Sequence, residues 1–361
     1  MISSPYNEHW IKFRRILHNN VLSPAHVSFQ SSSHQAGLDK LINKLEKEMR
    51  QSNGVVRPFD AHLLPMKIQA MNFIAHLCFG LDFQDDNFLS KLEEFIAEDI
   101  SLSKRGDMFL DSFSLARFFV SSSIRTERKW KSLRADVLCL LVPLIQFARS
   151  YREYFKRSAP SSFLNCLLSI DEGEEEWALA YLITNPHVQE KAHQEISEAT
   201  GNGKDGYFSL EDLRKLPYVQ CVVKETLRKE LIAPLGMIQQ SENECKVMDI
   251  TIAAKSRVLF NQHSVNNDPE VWKEPEKFRD ERFLGNNEVR MAYVAFGAGR
   301  RVCAGMDVAS VYVPITLANL LKSFEWGCVK EGSLPALARD IQNVLMSMKY
   351  PLEVRITPRP S

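Results

Sequence analysis

The feature that most constrains this chain is a glycine loop built around one cysteine, FGAGRRVCAG, at residues 296–305. Its glycines allow the backbone to turn tightly and to approach a bulky planar group. The apolar run Met306 to Leu321 follows and predicts a helix, whose positive end favours the charged thiolate form of Cys303. The loop therefore predicts that Cys303 is a thiolate that binds a metal.

A buried structural cysteine beside a phosphate-binding glycine loop is the alternative, because free cysteines are commonly just small buried residues. The Walker spacing with its Lys-Ser/Thr end is absent, which disfavours phosphate. The full pattern Phe-x-x-Gly-x-Arg-x-Cys-x-Gly favours the metal-bound thiolate. Every fixed position of this pattern is present, as Phe296, Gly299, Arg301, Cys303 and Gly305.

This pattern resembles the cysteine loop of the haem-thiolate monooxygenases, the cytochrome P450 family. The resemblance implies that Cys303 is the proximal ligand of haem iron, that Arg301 binds a haem propionate and that Phe296 packs beside the sulfur. A thiolate ligand pushes electron density onto iron and favours cleavage of an O–O bond. The fold implied is mainly α with a small β-rich part.

Composition restricts the partners and the compartment. The chain has 361 residues and equal numbers of basic and acidic residues, 45 each, so net charge gives no case for nucleic acid. Seven scattered cysteines without a Cys-x-x-Cys pair indicate a reducing compartment and no structural zinc. The apolar run at 137–145 is far shorter than the ~20 residues that span a bilayer. We therefore expect no membrane anchor in this chain.

Trp10 and Arg14 stand one helical turn apart in HWIKFRRIL, which alone predicts an amphipathic basic helix. The pair also resembles the Trp-x-x-x-Arg of the family's helix C, where both side chains bind a haem propionate. The resemblance implies that residues 1–361 form a single cytochrome P450-like domain that starts near helix C.

Glu225 and Arg228 lie in KETLRKE at i, i+3, a spacing that usually marks a surface ion pair of small value. FRDERF, at 278–283, resembles the family's meander, so Arg282 is expected to complete a Glu-Arg-Arg network that locks the meander beneath the cysteine loop. Asp280 stands where the family has proline. The segment after Arg228 also lacks the family's His-Pro-Pro and Pro-Arg pieces.

The acidic run at 171–176 leads straight into WALAYLITNP, which resembles the end of the family's central helix I. The Ala/Gly-Gly-x-Asp/Glu-Thr segment that relays protons to bound dioxygen should precede it and is absent. We therefore predict a gap in helix I near 174–177, assign no catalytic residue, and interpret the acidic run as a solvated junction.

Hydrophobic periodicity predicts helices around 38–49, 66–83, 124–154 and 210–231. Alternation predicts short strands within 248–261, and strands at 324–328 and 344–356. MSMKYPL, at 346–352, resembles the C-terminal hairpin that lines the family's substrate pocket.

The function implied is hydroxylation of a hydrophobic small molecule with dioxygen and electrons from an NADPH-dependent flavoprotein reductase. Local segments such as FGAGRRVCAG and DPEVWKEPEKF resemble plant microsomal members of the family. This resemblance implies a location on the cytosolic face of the endoplasmic reticulum membrane. Because we expect no anchor in this chain, a cytoplasmic location is the alternative. The alternative function is that of a truncated or mis-spliced member that binds haem at most and is catalytically inactive. A helical interaction protein with an incidental cysteine loop is disfavoured by four ordered motifs.

Overall fold

The structure is a computed structural model of the 361-residue chain. It describes residues 6–20, 22, 31–57, 174–200, 206–236, 239–285, 292–330, 334–342 and 345–359. The helices predicted around 66–83 and 124–154 lie outside these ranges. The chain divides into two compact units, Met1–Gly37 with Lys67–Ser169 and Leu38–Met66 with Ile170–Ser361.

Helix α1 (Glu8–Asn20) belongs to the first unit. Asn7 lies immediately before it, and its Oδ1 accepts a hydrogen bond from the Trp10 N–H (2.9 Å), which satisfies one of the donors left open at a helix start. Trp10 and Leu17 are buried on one face, whereas Lys12 is exposed. The predicted amphipathic basic helix is confirmed.

The helices of the second unit are amphipathic or wholly buried. In α2, which begins in the first unit, Leu38, Leu41, Ile42 and Leu45 recur at helical spacing and are buried. Within the described ranges, no helix combines the length and apolar character needed to cross a membrane. The helix bounds are α2 (Ser31–Gln51), α3 (Glu174–Thr184), α4 (Pro186–Thr200), α5 (Pro217–Lys229), α6 (Gln262–Asn266) and α7 (Met306–Ser323).

The single helix predicted over 210–231 is wrong at its start. The structure has a 3₁₀ turn at Leu210–Lys215, a break at Leu216, and then α5. Pro217 explains the break, because proline has no N–H to donate and disfavours helical backbone at the preceding residue. At the first position of α5 the same proline costs no hydrogen bond.

Helix α7 forms the centre of the second unit and packs against α3, α4 and α5. The side chain of its buried Asn319 serves as the hydrogen-bond partner for the backbone of Phe208. Asn319 Oδ1 accepts from the Phe208 N–H (2.7 Å), and Asn319 Nδ2 donates to the Phe208 carbonyl (3.0 Å). Gln189 of α4 makes the same two-way contact with the backbone of Trp326, at 2.9 Å each way. Such paired amides satisfy buried backbone groups between elements.

The strands form short antiparallel ladders, and the described residues are mainly helical with a small β part, as predicted. The longest ladder joins β6 to β9 and pairs the buried residues Trp326 and Ile356. Strand β6 has the predicted bounds, whereas the strand predicted at 344–356 is two strands interrupted at Pro351. The sheets are β1 (Val55–Val56), β9 (Val354–Pro358) and β6 (Phe324–Cys328) in that order; β2 (Gln239–Gln240) with β5 (Arg257–Val258); β3 (Cys245–Val247) with β4 (Ile250–Ile252); and β7 (Arg339–Gln342) with β8 (Leu345–Met348).

The interpretation of the acidic run as a solvated junction is wrong for its last two residues. Glu175 and Glu176 lie in the first turn of α3 and are buried, because α3 packs against α5, α7 and β6. Burial raises the pKa of each carboxyl from its usual 4.5 to about 7. Glu176 Oε1 also accepts a hydrogen bond from the Leu352 N–H (2.8 Å), which ties α3 to the segment before β9.

This burial predicts a pH-dependent stability. The folded-state pKa of Glu176 lies above its unfolded value, so its contribution to stability is fully present below pH 4.5 and is lost as pH rises through about 7. A pKa rise of this size corresponds to about 3 kcal/mol of folding free energy. Glu176→Gln keeps an acceptor for the Leu352 N–H, and we expect it to raise the melting temperature at pH 8 while changing it little at pH 4.5.

The measurement is thermal unfolding from pH 4.5 to 8. Glu211→Gln, which changes an exposed carboxylate, serves as the control and should follow the parent. Parallel melting curves of the parent and Glu176→Gln across the whole range would contradict the assignment.

Candidate functional site

The cysteine loop is a compact turn held by its own backbone. Gly297 and Gly299 have φ values of +77° and +72°, a region that side chains disfavour, so glycine is required at both positions. The Gly297 N–H donates to the Val294 carbonyl (2.9 Å), and the Cys303 N–H donates to the Phe296 carbonyl (2.8 Å). These bonds fold the two ends of the loop together and bring Phe296 next to Cys303.

Cys303 stands just before a helix, as predicted. Gly305 is the N-cap of α7, and its carbonyl accepts the Ala309 N–H (2.9 Å). Cys303 is half-buried and lies two residues before this cap, where the partial positive charge of a helix start favours an anion. Arg300 is exposed and Arg301 half-buried within the same turn, so two fixed positive charges lie within three residues of Cys303 along the chain.

The structure brings Glu225, Arg228 and Arg282 into direct contact. Glu225 accepts two hydrogen bonds from Arg228, from Nε (2.8 Å) and Nη2 (3.0 Å), and two from Arg282 Nε (3.1 Å each). The side chains of Glu225 and Arg228 have no exposed area, and that of Arg282 is 6% exposed. Burial lowers the pKa of Arg282, and attraction to Glu225 opposes this effect.

Both arginines also bind backbone carbonyl oxygens in 266–275, the segment that leads into FRDERF; 267–283 is called the meander from here on. Arg228 donates to the carbonyls of Asn266 and Pro275, at 2.8 Å each. Arg282 donates to the carbonyls of Lys273 (2.7 Å) and Glu274 (3.1 Å). The network therefore holds the meander backbone directly, and this requires the several donors that only a guanidinium carries.

Trp272 fills the space beneath this network. Its ring is fully buried, and the Arg228 and Arg282 guanidinium carbons lie 5.4 and 6.0 Å from its centroid. Phe283 packs 5.9 Å from Trp272 and 5.1 Å from Tyr293, at the entry to the cysteine loop. Sequence reasoning assigned Trp272 no role, although a tryptophan among charged meander residues was a usable signal.

Trp10 and Arg14 lie one turn apart on α1, and their roles toward a haem propionate stay predictions. Trp10 is buried with its ring 5.1 Å from that of Tyr6, and Arg14 is half-buried. They belong to the first unit, whereas the cysteine loop and the Glu-Arg-Arg network belong to the second.

A second charged network, which the sequence did not reveal, lies at the end of α5. Glu230 accepts two hydrogen bonds from Arg339 of β7, from Nε (2.6 Å) and Nη2 (2.7 Å), and one from the Tyr181 hydroxyl of α3 (2.6 Å). Burial and the Glu230 charge together raise the pKa of Tyr181. In the sequence, this network was indicated only by Glu230, a charged residue directly before the apolar segment LIAPL.

Comparisons with known proteins identify the family to which this chain is similar. The sequence matches the cytochrome P450 family over residues 1–176 and 175–354. It is 33% identical to (S)-canadine synthase of Papaver somniferum, over 99% of this chain and 75% of that protein. It is also 33% identical to piperic acid synthase of Piper nigrum, over 97% of this chain and 72% of that protein. A solved zebra fish cytochrome P450 with abiraterone has the same fold, with a TM-score of 0.73 and 20% identity over 99% of this chain and 84% of that chain.

The structure is thus a mainly helical protein with one cysteine on a glycine turn just before a largely buried helix. The chain belongs to the cytochrome P450 family, the haem-thiolate monooxygenases, and its cofactor is haem. The two matched segments meet at residues 175 and 176, where the sequence predicts an interruption of the central helix.

The buried network predicts a large effect of removing one arginine. Arg282→Ala leaves the Glu225 carboxylate with fewer donors in a site closed to water, and breaking a buried pair in this way costs ~3–5 kcal/mol. We expect lower soluble yield, lower melting temperature and lower haem content together. Arg279→Ala is the matched control, because its side chain is 45% exposed and only its backbone N–H binds Glu225. Normal yield of Arg282→Ala with altered turnover alone would refute a structural role.

Proposed function

We propose that this chain binds haem through Cys303 and inserts one oxygen atom of dioxygen into a hydrophobic small molecule, with electrons from an NADPH-dependent flavoprotein reductase. The observation that carries the proposal is the geometry of the cysteine loop at the start of α7. Haem supplies the oxygen chemistry when bound, and the chain supplies the thiolate and the binding site.

The residues present fit a haem. The half-buried sulfur of Cys303 lies on a turn whose outer part, Ala298–Arg300, is exposed. A Cβ placed on Gly299 would meet nothing within 4 Å among the described residues, so the loop leaves space on that side for a planar group. A single thiolate suits an iron whose other ligands come from a porphyrin.

Each predicted residue has a distinct part in this proposal. Cys303 is the ligand of the iron, and Phe296 covers the sulfur. Trp10, Arg14 and Arg301 neutralise the propionates, since charge-assisted hydrogen bonds to carboxylates are the strong ones. Gly299 and Gly305 maintain the turn, and the Glu225 network supports it from beneath.

The substrate class in this proposal is a hydrophobic small molecule of plant secondary metabolism. Relatives carry the names canadine, stylopine and pluviatolide synthase, and these products differ, so no single substrate is carried over. The segment that resembles the pocket-lining hairpin begins in β8, which pairs with β7, and the Glu230–Arg339 ion pair joins β7 to the end of α5. We also place the protein at the cytosolic face of the endoplasmic reticulum, on resemblance alone.

A second candidate is a haem protein that inserts little or no oxygen. We propose that residues 1–361 form one cytochrome P450 domain that is interrupted near 174–177. Two observations favour the interruption. The family match divides at residues 175–176, and Glu175 and Glu176 lie buried in the first turn of α3. An uninterrupted helix would have carried the acid and alcohol that deliver protons.

Replacing Cys303 tests the ligand. We expect Cys303→Ser to lose the ferrous carbon monoxide band that is characteristic of thiolate ligation, because a serine hydroxyl does not supply a soft anionic ligand. Cys245→Ser is the control, since Cys245 is an exposed thiol on β3. The assignment fails if Cys303→Ser keeps the parent spectrum.

Coupling of electrons to product separates the two candidates. With reductase and a substrate, the second candidate predicts that the chain as it stands consumes NADPH and releases mainly peroxide, because the family's proton-relay segment is missing from its sequence. A relay of this kind contributes ~10²–10⁴-fold to a proton-transfer step. A variant with a family helix I segment inserted between Glu174 and Trp177 should shift the yield toward product.

The matched control is an insert of equal length whose acid and alcohol are replaced by an amide and alanine. It should restore the helix without restoring coupling. Tight coupling in the uninserted chain would show that another segment supplies the protons and would remove the second candidate.

A further inference from the structure

Asn266 is a fully buried residue between the Glu-Arg-Arg network and the cysteine loop. It ends the short helix α6 and has no exposed area. Its backbone carbonyl accepts the hydrogen bond from Arg228 Nη1 (2.8 Å), and its side-chain Oδ1 accepts one from the Val294 N–H (3.1 Å). One residue thus contacts both the network and Val294, two residues before the cysteine loop.

The contacts continue from Asn266 to the cysteine. The Val294 carbonyl accepts the Gly297 N–H (2.9 Å), and the Phe296 carbonyl accepts the Cys303 N–H (2.8 Å). A hydrogen-bonded path therefore runs from the Glu225 carboxylate through Arg228 and Asn266 into the loop. Because the interior is close-packed, a shift at Val294 is passed on to the turn that carries the thiol.

The Asn266 amide performs a positioning task rather than merely filling space. The Val294 N–H is a donor, so the facing atom must be the oxygen, and this fixes the orientation of the amide. Its Nδ2 has no hydrogen-bond partner among the described residues, which is costly for a buried donor. A residue that only filled space would be apolar, whereas an asparagine kept here supplies the acceptor.

We propose that Asn266 is a positioning residue that holds the cysteine loop against the Glu-Arg-Arg network and so sets the place of the Cys303 sulfur. This inference rests on the proposed function, because it takes Cys303 as the iron ligand. Its structural part, the hold of Asn266 on the Val294 N–H, is independent of haem.

The first measurement is hydrogen exchange of the Val294 amide in the full chain without haem. Asn266→Leu keeps the size of the side chain and removes the acceptor, and we expect exchange at Val294 to become about tenfold faster. Asn266→Asp keeps an oxygen at the same place and should retain most of the protection. If Asn266→Leu is insoluble, Asn266→Ala replaces it.

Asn267→Ala is the matched control within the same turn. Its Nδ2 donates to the His263 carbonyl (2.9 Å), inside α6, and forms no hydrogen bond with the cysteine loop among the described residues. It should loosen α6 without changing exchange at Val294. Equal acceleration by Asn267→Ala and Asn266→Leu would overturn the proposal, since Asn266 would then act only through its helix.

The second measurement is the ferrous carbon monoxide spectrum of the haem-loaded chain. We expect Asn266→Leu to lose part of the thiolate-type band in favour of the band of a neutral or displaced thiol, and Asn266→Asp to restore it. Unchanged exchange and spectrum in Asn266→Leu, or equal loss in Asn266→Asp, would overturn the proposal. A parent chain that binds no haem would refute the proposed function alone, because the exchange result at Val294 is obtained without haem.

Discussion

The second unit depends on one buried carboxylate. Glu225 lies without exposed area and accepts hydrogen bonds from two guanidinium groups and from the Arg279 N–H (3.0 Å). An isolated buried charge is strongly unfavourable, so each of these donors is needed. Two arginines against one glutamate leave an excess positive charge, and the meander carbonyls that both arginines bind disperse it. The meander therefore cannot leave its place without exposing this charge to an apolar interior.

Three consecutive buried residues at the end of α5, 228–230, hold neighbouring elements in place in the same way. Arg228 holds the meander, Lys229 Nζ binds the Glu276 carbonyl of the same meander, and Glu230 binds Tyr181 and Arg339. Burial lowers the pKa of Lys229, and the neighbouring Arg228 lowers it further. Three consecutive charged residues at the end of one helix thus tie the meander, α3 and β7 to a common point. The Arg228–Glu225 and Arg339–Glu230 pairs satisfy their own charges, which lowers the cost of burying them.

The sequence predicted the features that depend on neighbouring residues. The cysteine loop is local, because its glycine conformations and its helix start lie within one short segment. The bounds of β6 follow from its own alternation, and the start of α5 was predictable from Pro217, although the periodicity concealed it. The features missed depend on partners far along the chain. Glu230 and Arg339 are 109 residues apart, and Gln189 and Trp326 are 137 apart.

The burial of Glu175 and Glu176 is another feature that the sequence did not predict, because it too depends on packing against distant elements. Six residues that are nearly all acidic predict a solvated segment, because carboxylates are rarely buried without a partner. The packing of α3 overrides that preference, and the carboxyls respond by a raised pKa rather than by exposure. Composition alone does not predict this outcome.

Under the proposed function, haem binding and oxygen activation are separable because they depend on different segments. The groups proposed to support the Cys303 thiolate in the second unit are the Glu225 network, the meander, Asn266, the glycine turn and the start of α7. The proton relay of the family belongs to helix I, and we propose that its place here is the junction at 174–177. The buried acids at that junction do not replace it, since Glu176 accepts a bond from the Leu352 N–H and is thereby held to the backbone before β9. A carboxyl engaged in this way stabilises the packing of α3, whereas a relay requires an acid and an alcohol that face the oxygen.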